Sequence, residues 1–210
     1  MEELTIGTNK AVGQLHLYLQ HQLWLLTLND ELHLAPIKNP QHVLDIGTGT
    51  DPWSYSHPFD YIHGRALATS FQDIRSVITS AFTSLSPGGY LELQDGALPM
   101  RSIDSSLSGT SLDLWQHLTI SAAAKLGKSW DAVHTTWAKG ERVKLLGRYW
   151  QEDLNRGLEA ISMAALTRAG GMSKEEVLEL TGRARRDVFD KNIHAYMPVH
   201  ELLFMAGSQL

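Results

Sequence analysis

Four residues and the glycines behind them constrain this chain most. Val43-Leu44-Asp45-Ile46 is an apolar run broken only by an acid, and it drops directly into Gly47-Thr48-Gly49-Thr50. The run is too short and too sharply punctuated for a helix. It reads as a parallel strand whose C-terminal end meets a ligand or a tight structural turn. Gly47 and Gly49 can take a positive φ and let backbone N–H groups approach a ligand with no Cβ in the way. The continuation is unusual. Asp51-Pro52-Trp53 stands where a third glycine and a helix are expected.

The next strand arrives early. Pro58 introduces Phe59-Asp60-Tyr61-Ile62-His63, only 12 residues after the first run, counted from Gly47 to Pro58. Residues 71–85 carry Ile74, Val77, Ile78, Ala81, Phe82 and Leu85 at helical spacing. Ser86-Pro87-Gly88-Gly89 reads as a turn, and Tyr90-Leu91-Glu92-Leu93-Gln94 as a third strand. Strand, loop, strand, helix, strand is the order of a parallel α/β sheet.

The flanks are helical. Residues 11–28 have a broad apolar face. Residues 97–111 form a serine-rich loop. Helices are expected over 111–126, with Gly127 behind it, over 129–139, over 143–169 up to Gly170-Gly171, and from the capping box Ser173-Lys174-Glu175-Glu176 to about Asp190. The tail from Ile193 to Met205 reads as one last strand, antiparallel on the sheet.

Composition excludes several classes. A net charge of −5 opposes non-specific nucleic-acid binding. No apolar run reaches the roughly 18–20 residues of a membrane span. Cysteine is absent, so disulfides, thiolate metal sites and cysteine nucleophiles are excluded. These features fit a protein of the cytoplasm or nucleus.

Candidate chemistry is sparse. His63 and Arg65 end the second strand on the expected ligand side, as substrate contacts or solvated strand-end residues. His194 and His200 share a face of the tail without a carboxylate at metal spacing, so no metal site is expected. Trp115, Trp130, Trp137 and Trp150 read as helix-packing anchors before pocket walls. Arg183, Arg185 and Arg186 read as a solvated helix face. No nucleophile elbow is present.

The chain resembles the fungal class I methyltransferases that use S-adenosylmethionine (SAM), a group that includes the velvet-associated regulator of secondary metabolism. The resemblance lies in residues 19–28 and Leu32-His33-Leu34-Ala35-Pro36, then in 43–50, Asp51-Pro52-Trp53-Ser54-Tyr55 and Phe59-Asp60-Tyr61-Ile62-His63-Gly64-Arg65. It continues in 86–95 and in Ile193-His194-Ala195-Tyr196-Met197-Pro198. It implies an α/β, class I (Rossmann-like) methyltransferase fold of one domain with a C-terminal helical insertion. The parts would be an N-terminal helix and link (1–40), a core sheet (41–96), a helical lid (97–192) and a terminal strand (193–210). It implies SAM as cofactor, with Asp45, Gly47, Gly49, Asp51 and Trp53 as its contacts, and a small-molecule substrate from natural-product metabolism. His63 and Arg65 are the catalytic candidates.

Two departures follow. Members continue the glycine loop into a helix, a strand ending in the ribose-binding acid, and a further strand. That block, about 40 residues and the size of a strand–helix–strand unit, is missing after Thr50. A second gap falls near Lys139–Leu145, where members have another strand. The central sheet is therefore expected to be reduced, with strand 43–46 near an edge. Three functions compete. The leading one is SAM-dependent methyl transfer. The second is a SAM-independent cyclase or isomerase with Trp53, His63, Arg65, Trp115 and Tyr149 around its pocket. The third is a non-catalytic regulatory partner or homodimer. A gene reading with skipped coding sequence would produce the same gaps.

Overall fold

A computed structural model describes residues 18–47, 56–67, 70–71, 73–128 and 142–207, with backbone only at 142–146 and 200. Gly49, Asp51 and Trp53 fall outside the described residues, as do Trp130, Trp137 and the helix expected over 129–139.

Helix α1 covers residues 18–27, and an irregular link follows. The strands are β1 (Val43–Ile46), β2 (Phe59–Arg65), β3 (Leu85–Gly96), β4 (Arg101–Ser102), β5 (Ala195–Tyr196) and β6 (Val199–Met205). The remaining helices are α2 (Ile74–Thr83), α3 (Ser111–Lys125), α4 (Arg142–Arg168) and α5 (Lys174–Val188). The main sheet has the order β1-β2-β3-β6. Its first three strands are parallel, and β6 returns antiparallel along β3. Among the described residues β1 is an edge strand, as expected for a sheet reduced on that side.

Local chemistry sets the element ends. The Asp73 carboxylate accepts from the Arg75 and Ser76 amides and starts α2. Thr110 does the same for α3 through Asp113. Ser173 and Glu176 form the capping box of α5 in both directions. Gly127 and Gly171 take φ of 72° and 73° just past the ends of α3 and α4, where glycine avoids the Cβ penalty.

Two expectations are corrected. Ser86-Pro87-Gly88-Gly89 does not turn but lies inside β3. Its backbone groups find partners across the sheet: the Gly88 amide donates to Ala206 O at 3.0 Å, and the Ala206 amide donates to Gly89 O at 2.9 Å. A Cβ on Gly89 would come within 2.8 Å of Phe59 O, so the glycine lets β2 and β3 close up. The tail is two strands, not one. Met197-Pro198 separates them, and β5 pairs with β4 in a small second sheet. The stretch 97–111 accordingly contains a strand, preceded by a cis Leu98–Pro99 bond.

The register fixes what each face of the main sheet carries. Ile62, Leu91, Leu93 and Leu202 point to one side and pack with Val77 and Ala81 of α2. Tyr61, His63, Arg65, Glu92 and Gln94 alternate to the other side, which α1 and its link cover. The helical half has its own core, where Leu112, Trp115, Leu158, Leu166, Val177 and Leu180 are essentially fully buried between α3, α4 and α5.

Candidate functional site

The polar face is held together by one carboxylate. Glu92 is fully buried and accepts four hydrogen bonds: from the Leu34 and Ala35 amides and the Tyr61 hydroxyl, each at 2.9 Å, and from Gln94 Nε2. Burial opposes the charge, but these donors outweigh it and hold the Glu92 pKa below 4.5. The same environment acts oppositely on Tyr61. Burial, then the charge and hydrogen bond of Glu92, push its phenol well above the ordinary value.

Arg65 extends this network. Its Nε donates to Gln94 Oε1 at 2.9 Å and its Nη2 to Leu32 O at 3.2 Å, while the guanidinium lies 5.1 Å from the centre of the Trp24 ring. Burial pulls the Arg65 pKa down, against the pull of the Asp45 and Glu92 charges. Gln20 of α1 also reaches Asp153 of α4 at 2.6 Å. Arg65 thus fastens the N-terminal helix to the sheet, a positioning use that its strand-end location did not reveal.

His63 and Asp45 meet because parallel register places them opposite each other. His63 Nδ1 lies 2.9 Å from Asp45 Oδ1. An ionised carboxylate only accepts, so Nδ1 carries the proton and a neutral ring keeps its lone pair on Nε2. That Nε2 is buried with no hydrogen-bond partner among the described residues. The His63 side chain is 16% exposed and that of Asp45 58%. A base oriented by an acid is the arrangement of general acid–base catalysis.

Gly47 follows Ile46 with φ of 96°. A Cβ there would lie 2.7 Å from Leu67 Cδ2, and one on Gly64 2.5 Å from Leu67 Cδ1. Leu67 is 4% exposed and donates its amide to Asp95 Oδ2 at 2.7 Å. Part of the need for glycine at 47 is therefore internal packing. Asp45 and Gly47 are the described residues that could hold the amino-acid end of a SAM-like cofactor. No acidic strand end lies outside β1 among the described residues, so the ribose end has no matching carboxylate there.

Other sequence candidates make contacts of their own. Trp115 is 1% exposed and its Nε1 donates to Ser162 Oγ at 2.6 Å, which makes it a core anchor. Tyr149 packs with Leu23, Trp24 and Leu28. His194 pairs with Asp104 at 2.6 Å. Hydrogen bonds from Ser106, then His194, lower the Asp104 pKa to about 2. Arg183 pairs with Glu179, and Arg185 donates to Asn155 O. No metal-holding cluster occurs among the described residues. No described helix is long and apolar enough to cross a membrane.

No protein-family profile matches the chain. Sequence comparison nevertheless finds it similar to fungal methyltransferases and to secondary metabolism regulators of the laeA group. Probable methyltransferase tdiE of Emericella nidulans is 27% identical over 88% of this chain and 78% of its own length. Methyltransferase pytC of Aspergillus terreus is 28% identical over 91% and 67%. Protein-methionine methyltransferase laeA of Emericella nidulans is 23% identical over 80% of this chain and 53% of its own. The tdiE alignment spans 250 positions but holds only about 185 residues of this chain, so about 65 positions have no counterpart here. Among solved structures, coclaurine N-methyltransferase bound to N-methylheliamine and SAH aligns at 16% identity, over 72% of this chain and 47% of its own, with a TM-score of 0.31.

Proposed function

We propose that this chain is a methyltransferase-like protein of natural-product metabolism that moves a methyl group from SAM to a small molecule. The relationship to tdiE and pytC supports the reaction class. The Asp45–His63 pair at the strand ends behind Gly47 carries the assignment of the site. Asp45 and Gly47 would hold the amino-acid end of SAM, with Gly49, Asp51 and Trp53 as further contacts. Bound SAM would supply an electrophilic methyl group. His63 Nε2 would take the proton from the acceptor's hydroxyl or amine, and Asp45 would fix the ring and stabilise its charged form. Arg65 would act by keeping α1 over the site.

Calorimetry with SAM and His63→Ala test this reading together. The expected result is measurable SAM heat, unchanged to within about threefold in the variant, with a transfer rate lower by about 10²–10⁴. No heat at millimolar SAM would sink the cofactor assignment. One observation favours a second reading: among the described residues the ribose end lacks its acid. In that case the same His63 base serves a SAM-independent cyclisation or isomerisation, and turnover of a pathway intermediate without SAM decides for it. A third arrangement, a regulatory partner or a homodimer, predicts a stable complex in place of turnover.

A further inference from the structure

A cavity of about 200 Å³ lies away from His63, between α4, the end of α5 and β5. Met100, Leu112, Leu154, Val188, Ile193 and Met197 give it apolar walls. Trp150 also lines it. Trp150 and Met197 both touch the end of β3, where a Cβ on Gly96 would lie 3.1 Å and 3.0 Å from them. The cavity therefore adjoins the C-terminal edge of the sheet, one strand over from the one that carries His63. An apolar cavity of about 150 Å³ already admits benzene. This one has room for a fused or substituted ring, and Met100 and Met197 suit an aromatic guest.

Its charge is one-sided. Asp187 lines the cavity and accepts the Leu112 amide at 2.9 Å through Oδ2. It sits in the last turn of α5, where the helix presents its negative end. The Gln151 amide, also in the lining, donates to Val188 O at 3.0 Å. A carboxylate and a helix C-terminus together repel an anion and accept a donor.

We infer that this cavity is a ligand site apart from the Asp45–His63 pair and takes an apolar aromatic compound that carries a hydroxyl or amine and no anionic group. The inference stands on the cavity's own lining and does not depend on the methyl-transfer reading. Gly147 stands exposed on the rim, and a Cβ there would meet nothing within 4 Å. Glycine is the poorest helix former after proline. A larger residue at 147 should therefore cover the opening while strengthening α4.

The test is calorimetry with 2-naphthol and 2-naphthoate, without SAM, on wild type, Gly147→Ala, Gly147→Leu and Asp187→Asn. Wild type should bind 2-naphthol with a Kd of roughly 10–500 µM, as a ligand of this size allows, and at least about 10-fold tighter than 2-naphthoate, a gap of about 1.4 kcal/mol. Gly147→Leu should lose at least about 10-fold in affinity with a Tm equal or higher, while Gly147→Ala keeps binding. Asp187→Asn should narrow the preference for naphthol over naphthoate. No heat with 2-naphthol, equal affinity for the two compounds, or undiminished binding in Gly147→Leu would each overturn the inference. Naphthol heat without SAM heat would keep the cavity and overturn the cofactor. SAM heat without naphthol heat would do the reverse.

Discussion

The two faces of the main sheet solve the same problem with opposite chemistry. Toward α2, Ile62 and Leu91 are fully buried among other apolar side chains. Toward α1, Glu92 and Gln94 are just as completely buried, but among hydrogen-bond donors and acceptors. Apolar packing tolerates many partners of similar volume. The polar face tolerates few, because each buried group needs its own partner. The first face should therefore fail globally when cut, and the second locally.

The largest effect is expected on the apolar face. Leu91→Ala removes a side chain with no exposed surface and should cost about 2–5 kcal/mol, read as a lower urea midpoint with every region unfolding together. A loss below about 1 kcal/mol would mean that α2 can collapse onto the space. On the other face, Glu92→Gln keeps the shape but removes the charge that four donors share. It should cost about 2–3 kcal/mol, the scale of hydrogen bonds to charged groups. Its signature is local: the Leu34 and Ala35 amides should exchange with solvent far faster, while amides of β3 hold. Uniform loss of protection would show that the N-terminal link is not a separate unit.

The apolar face was legible in the sequence and the polar one was not. Ile74, Val77, Ile78 and Ala81 repeat at helical spacing, and Leu91 and Leu93 alternate at strand spacing. Both periods are local and survive folding. Glu92 and Gln94 showed the same alternation, which ordinarily puts polar residues toward water. Their burial depends on Leu34 and Ala35, 58 and 57 residues earlier in sequence. No local period encodes that. The available signal was Leu32-His33-Leu34-Ala35-Pro36, an apolar link needing a surface to cover. The glycine turn was legible because glycine at 47 has a backbone reason, φ of 96°. The partner of Asp45 was not, because it follows from the register of β1 on β2. The Ser86–Gly89 turn was misread because Gly89 serves close strand approach, and the positive φ of 79° at Gly88 is accommodated inside the strand.

Acid should separate the faces further. Glu92 has a folded pKa below its ordinary 4.5, so its stabilisation is complete above that pH and is lost as pH falls through the folded value. The stability gap between wild type and Glu92→Gln should accordingly be full at pH 7 and shrink as pH falls below 4.5 through the lowered folded value. The gap between wild type and Leu91→Ala should not change over that range. A Glu92 gap that stays constant with pH would mean that packing, and not charge, accounts for its effect.

The smallest effect is expected at Glu201, which β6 places opposite Gln94. Burial, then repulsion from Glu92, raise its pKa above 4.5, and its Oε1 is buried without a partner among the described residues. The sign is therefore reversed. Glu201 is a liability at neutral pH that is relieved as pH falls through its raised folded value. Glu201→Gln should raise the Tm slightly at pH 7 and leave it unchanged near pH 4. Part of the gain comes from removing a charge beside Glu92, so it should shrink when Glu92→Gln is already present. A double-mutant cycle at pH 7 should then give a coupling of at least about 0.5 kcal/mol, the low end for residues in one network. Additive effects would place Glu201 outside the Glu92 network and leave burial as the whole of its cost.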